Sequence, residues 1–225
     1  PVDVYQGRSV LQLADAPPEP WLAKRSEVAS GSLQRHWRTS ATLGNGRDVW
    51  VYRPADWART PAAQRALLVL FDAQAYLGNV PTPQIVDNLH ADGLLPATAV
   101  VLVANASADA RGKELPPNPD FADFMGQALV PWLHAQGLDV PAARTVLAGS
   151  SYGGLASSYV ALRYPQLFGN VLSLSGSYWW APKGEAPNAL ARWWAAAPAA
   201  ATQFYLDAGR YESARGGQAG ILETS

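Results

Sequence analysis

The pentapeptide Gly149-Ser150-Ser151-Tyr152-Gly153 carries the most legible chemistry in this sequence. It lies between an apolar run at 144–148 and a helix-like stretch at 154–164, the strand–turn–helix context of a G-x-S-x-G nucleophile elbow. The glycines allow a turn too sharp for larger residues, which lifts the Ser151 hydroxyl off the end of a sheet. The helix that follows points its N-terminal dipole at the same spot. The bland alternative is a tight structural turn. A serine hydroxyl attacks well only when a base removes its proton and an acid orients that base. In the elbow architecture the chain order is Ser, then Asp or Glu, then His. The acid is therefore expected in the loop after a later strand. The run Gln203–Asp207 is that strand, and its loop holds Asp207 and Glu212. Glu212 is preferred, because three residues after Gly209 its carboxylate can turn back over the sheet edge. The alternative makes Asp207 a strand cap and Glu212 a solvated charge.

The sequence contains three histidines, His36, His90 and His134, and all precede Ser151. They read as a hairpin residue, a helix-end residue and a residue on the polar side of a helix. The base is therefore expected beyond Ser225, and a chain without it is expected to be inactive by itself. An oxyanion hole needs two N–H donors, one of them from the residue after the nucleophile, Tyr152. The second is expected from the loop Asp72-Ala73-Gln74-Ala75-Tyr76, with Gln74 as first choice and Ala73 as second. Arg111, in a polar loop expected at 111–115, either binds an anionic substrate group or pairs with Glu114. Trp179 and Trp180 follow another strand and form either an aromatic wall over the site or core packing.

The elements around these residues must bring them to one place. The stretches 33–42 and 48–53 alternate like strands, and Asn45-Gly46 between them is a hairpin signal. Continuous apolar runs at 66–71 and 97–104 fit strands buried on both faces. Helical spacing marks 83–89, 121–136 and 188–197, with further strands at 145–148, 170–175 and 203–207. Alternating strands and helices imply an α/β-hydrolase fold. Its sheet should be mostly parallel, flanked by helices on both faces and opened by an antiparallel hairpin, with the elbow on the fifth strand. Residues 1–32 read as a Pro-punctuated linker or extension and 33–225 as the catalytic domain.

Composition narrows the options further. The chain of 225 residues is 48% hydrophobic and 16% charged, with net charge −1. Nothing in that balance argues for nucleic acid or an anionic membrane surface. Cysteine is absent, which excludes disulfides, thiolate metal sites and a Cys nucleophile. Three scattered histidines offer no metal-ligand spacing, and no cofactor motif is present. The partner expected is a small-molecule ester.

Several segments together resemble the enterochelin (enterobactin) esterase family, within the esterase D-like α/β-hydrolases. They are Leu67–Asp72, Val86–Leu89, Arg111 with Glu114-Leu115 and Pro116-Pro117-Asn118, Phe121–Leu133, Ala148–Leu155 and Ser173–Trp180. The approach segment Ala16-Pro17-Pro18-Glu19-Pro20-Trp21 is also similar to that family's linker. The resemblance implies hydrolysis of the ester bonds of a cyclic tri-catecholate siderophore to release iron. Ser151 would be the nucleophile, Glu212 the acid and Arg111 a contact for the negative catecholates. It also implies a cytoplasmic setting, with the periplasm as the alternative, and an N-terminal β-rich domain before Pro1. Two departures stand out: Asp72-Ala73 replaces the family's Asp-Gly, and the C-terminal Gly-Gly-His-Asp segment that supplies the base is missing. Two other readings remain: a non-catalytic siderophore- or glycan-binding module, and an acyltransferase of the mycolyltransferase type.

Overall fold

A computed structural model describes residues 13–213 and 220–225. The first twelve residues of the expected extension, and 214–219 of the expected catalytic domain, lie outside the described residues. Among those described, seven strands form one sheet in the order β1-β2-β4-β3-β5-β6-β7. The antiparallel hairpin β1 (Ser32–Ser40) and β2 (Asn45–Arg53) opens it. β3 (Arg65–Phe71), β4 (Ala97–Val103), β5 (Thr145–Ser150), β6 (Asn170–Leu174) and β7 (Gln203–Asp207) are mutually parallel. β2 joins them antiparallel to β4. The mostly parallel α/β-hydrolase sheet with a hairpin at its edge is thus as the sequence predicts, with the elbow following β5.

The apolar runs become strands because both faces need covering. Every residue of β4 is buried. Along β3, Val69 and Phe71 face a core shared with Leu147, Leu155 and Val160, while Leu70 faces Ala73, Tyr76, Val86 and Ala148. The helices after β3, α1 (Ala73–Leu77) and α2 (Thr82–Ala91), therefore lie on one face of the sheet. α6 (Tyr152–Arg163), after β5, lies on the other. With β4 on one side of β3 and β5 on the other, the strand order reverses at the β3–β5 pair. The carboxyl ends there form the crevice in which ligands of open parallel sheets bind.

Three expectations are corrected. Asn45-Gly46 is not the hairpin turn: Ser40 pairs with Asn45, so the chain reverses through Ala41–Gly44, with Gly44 at φ +63°. Gly46 has a different consequence: the exposed Trp37 ring lies over it, and a Cβ there would come within 2.5 Å of that ring and push it aside. Residues 111–114 are helical, part of α3 (Ala108–Glu114), whose start Ser107 caps by accepting from Ala110 N–H at 3.0 Å; Leu115 is the residue that ends it. The helix expected over 121–136 is three pieces: α4 (Pro119–Asp123), a π-helical turn Phe124–Leu129 and α5 (Val130–Ala135). Pro131 has no N–H to give to the Gln127 carbonyl, and the widened turn precedes it.

α3 is anchored by its last residue. Glu114, buried, accepts from Arg47 Nη1 at 2.7 Å and Asn45 Nδ2 at 2.6 Å. The Arg47 guanidinium lies over the Phe121 and Phe124 rings. The described part of the extension runs along α2. Asn88 Nδ2 donates to the Trp21 and Ala23 carbonyls, and Arg25 and Trp21 both reach Asp92.

Candidate active site

Ser151 is the first residue after β5 and adopts φ 55°, ψ −122°, a conformation costly for a residue with a Cβ. Its neighbours make the turn physically feasible. A Cβ at Gly149 would lie 2.6 Å from the backbone carbonyl carbon of Gly153, so helix α6 can approach the strand end only because position 149 is glycine; a Cβ at Gly153 would meet only ordinary contacts, at 3.4 Å and beyond. Ser151 N–H donates to the Leu174 carbonyl at 3.0 Å, and its own carbonyl accepts from Leu155 at 3.2 Å. The side chain is left exposed at the carboxyl end of the sheet, with Oγ 3.2 Å from the Ser177 hydroxyl.

The neighbouring strand ends supply the other groups. Asp72, directly after β3, is left-handed at φ 55° and leads into Ala73 and Gln74. The Ala75 N–H closes the first bond onto the Asp72 carbonyl at 2.9 Å, so the Ala73 and Gln74 N–H groups precede the helical ladder. Arg111 Nε and Nη2 grip the two Asp72 carboxylate oxygens at 2.6 and 2.9 Å, and Asn105 Nδ2 adds a third donor at 2.6 Å. The hydrogen bond to Asp72 pushes the Arg111 guanidinium above its ordinary pKa. Past β7, Glu212 Oε2 accepts from Gly209 N–H at 2.7 Å and from Ser175 Oγ at 2.8 Å. Asp207 stays at the exposed end of β7, where its carbonyl accepts from Ser175 N–H at 2.7 Å.

A strained serine at the β5–α6 turn, a helix start after β3 and a carboxylate folded back after β7 thus lie at one end of the sheet. A family model described as putative esterase matches residues 40–218. The chain belongs to the putative esterase family. It is 35% identical over 179 residues to the iron(III) enterobactin esterase of Escherichia coli K12, covering 78% of this chain and 43% of that protein. With the iron(III) enterobactin esterase of Yersinia enterocolitica it shares 32% identity over 188 residues, 80% of this chain and 50% of that one. A crystal structure of the enterobactin esterase of Shigella flexneri in the presence of enterobactin superposes with TM-score 0.75 at 31% identity. That match covers 86% of this chain and 50% of the other. The esterase-family chain thus spans about half, or less, of the length of these relatives. The resemblance to enterochelin esterases read from the sequence is borne out by them.

The residues expected at the site do not all converge. Ser151, Tyr152, Gln74 and Glu212 are placed at or beside the carboxyl ends of β3, β5 and β7. Arg111 joins them through Asp72, not Glu114, which is buried with Arg47. The two tryptophans part: Trp179 stays exposed with its ring 6.0 Å from Tyr152, whereas Trp180 turns to Trp193 and packs on the core. The histidines lie elsewhere. His36 sits on β1, four strand spacings from β5, about 19 Å away. His90 and His134 end α2 and α5, near the amino ends of β4 and β5. There His90 meets Asp56 Oδ2 and the Leu95 carbonyl, each at 2.9 Å, and His134 lies 3.6 Å from Asp139.

Sequence reasoning missed Ser175, Ser177 and Asn105. The only signal for the serines was their position just after a strand. Among the described residues, no group of three or more His, Asp or Glu side chains is arranged to hold a metal ion. No helix among them is long and apolar enough to cross a membrane.

Proposed function

We propose that this chain is the esterase portion of a serine carboxylic-ester hydrolase that opens the ester bonds of a catecholate trilactone siderophore and so releases iron. The observation that carries the reading is Ser151: exposed and left-handed, it stands at the head of α6 in a chain 35% identical to an iron(III) enterobactin esterase. Its Oγ attacks the ester carbonyl while its proton passes to a base. The carbonyl oxygen, now anionic, accepts from the Tyr152 and Gln74 N–H groups. The C–O bond breaks, the departing alcohol takes the proton, and water releases the acyl group in a second cycle. Glu212 orients the base. Asp72 engages Nε and Nη2 of Arg111, so Nη1 is the nitrogen left for a catecholate oxygen, and Trp179 offers an aromatic surface beside it.

The reading requires a base from outside the sequence given, since none of the three histidines stands by Ser151. Their placement is also the one observation that favours a second reading, a siderophore-binding module without turnover. The two part in one experiment. The parent protein and its Ser151→Ala variant are incubated with the apo and ferric trilactone, and products are followed by liquid chromatography with mass detection. Stepwise linear trimer, dimer and monomer, lost in the variant, are expected. Binding without any cleavage would replace the esterase with the binding module. Cleavage of simple aryl esters alone would keep the serine chemistry and remove the siderophore.

A further inference from the structure

We infer that the three-residue segment Ser175-Gly176-Ser177, after β6, is a clamp that positions the nucleophile and the acid of this site together. The inference rests on the esterase reading above. Ser175 and Ser177 are positioning residues, acting through Ser151 and Glu212.

One end of the clamp holds the acid. Ser175 is the first residue after β6 and is left-handed at φ 48°. That conformation aims its N–H at the Asp207 carbonyl, 2.7 Å away on β7, and its hydroxyl at Glu212 Oε2, 2.8 Å away. Glu212 otherwise sits in a loop beside the strand edge, its carboxylate fixed by the Gly209 N–H. The hydroxyl of Ser175 ties that loop to the sheet. A glycine would meet the backbone requirement at lower cost, so the residue type is explained by the bond its side chain makes.

The other end holds the nucleophile at two points. Ser177 is 2% exposed. Its N–H donates to the Ser151 carbonyl at 3.1 Å, and its hydroxyl stands 3.2 Å from Ser151 Oγ. When Ser177 is the donor in that pair, the Ser151 proton is left to point at the open side, where a base must approach. The bond also selects one χ1 rotamer of Ser151 from three.

Between the two ends there is no slack. A Cβ at Gly176 would collide with the Ser173 hydroxyl and lie 2.5 Å from the Tyr178 ring. The Tyr178 hydroxyl is hydrogen bonded to Ser158 Oγ on α6 at 2.6 Å, and burial pushes its phenol up, so it stays protonated as a fixed anchor. Any movement of β7 and its loop is thereby transmitted to the elbow through three residues.

The test is a set of variants of the parent protein assayed for trilactone hydrolysis: Ser175→Ala, Ser177→Ala, Glu212→Gln, and Ser175→Ala combined with Glu212→Gln. Each serine variant should lose roughly five- to tenfold in kcat with KM unchanged, the worth of one hydrogen bond. Ser175→Ala should cost nothing further once Glu212 is Gln, because its effect passes through that carboxylate. Thermal unfolding should stay within about 2 °C of the parent for each. Multiplying losses in the double variant, unchanged kcat in the serine variants, or a kcat loss matched by a fall in unfolding temperature would each overturn the clamp while leaving the esterase intact. An unaffected Glu212→Gln would remove the acid and the acid end of the clamp. No hydrolysis by the parent protein would remove the esterase reading and the clamp with it.

Discussion

Among the described residues, two groups of positive-φ positions are built differently. At Gly44, Gly93, Gly137 and Gly184 the chain takes φ between +63° and +89°, and a Cβ at any of them would meet nothing within 4 Å. These are connections where only the turn matters, and glycine makes it without strain. Immediately after β3, β5 and β6 the same half of conformational space is occupied by Asp72, Ser151 and Ser175. Each keeps a side chain at a cost of order 1–3 kcal/mol. All three side chains bond to or approach another site group: Asp72 to Arg111, Ser151 to Ser177, Ser175 to Glu212. Asn188, at φ 64°, is the one other non-glycine at positive φ among the described residues, and asparagine tolerates that region well. The less tolerant residues are concentrated at three adjacent strand ends, where their side chains meet other site groups.

The sharpest break of this contrast is Ser151→Ala in the parent protein. Ester hydrolysis should fall by at least about 10³-fold with the fold intact by circular dichroism. Next comes Gly149→Ala, whose Cβ would meet backbone. A loss of about 3 kcal/mol in chemical denaturation is expected, against about 1 kcal/mol for Gly93→Ala, where only the dihedral is strained. Glu212→Gln should lower kcat by about 10²-fold, while Asp207→Asn stays within about twofold. That pair decides between the two carboxylates. A smaller effect of opposite sign comes from Ser151→Gly, which should raise stability by about 1 kcal/mol while abolishing activity. A destabilised Ser151→Gly would show the elbow to be unstrained and break the comparison.

The weakest effect lies at the opposite end of the sheet. The Leu95 carbonyl, and then Asp56, raise the His90 pKa above its ordinary value. The charged form is favoured on folding, so its contribution is complete below the unfolded pKa near 6.5 and fades as pH rises through the folded value. The unfolding temperature should therefore decline slightly over that window and lose the decline in His90→Gln. Ester hydrolysis should not follow it.

What the sequence made legible was local. The elbow needs residues within five positions of one another, and a buried parallel strand announces itself by an unbroken apolar run. What it hid was set by distant pairing. Arg111 could not be assigned to Asp72, 39 positions earlier, without knowing that β3 and β4 are neighbours. Glu114 read as a possible partner for Arg111 because its actual partner, Arg47, lies on the distant hairpin. Asn45-Gly46 carries the strongest turn signal in the region, yet pairing of Ser40 with Asn45 moves the reversal upstream. Trp179 and Trp180 are adjacent letters whose surroundings diverge only once α7 (Ala189–Ala196) packs its Trp193 against the second.

The proposed chemistry depends first on Ser151 as the nucleophile. It is tested most directly by treating the parent protein and its Ser151→Ala variant with a fluorophosphonate and mapping the adduct by peptide mass spectrometry. One adduct is expected, on the peptide containing Ser151, and absent from the variant. An adduct that persists in the variant, or a parent protein that hydrolyses the trilactone yet never labels at Ser151, would contradict it.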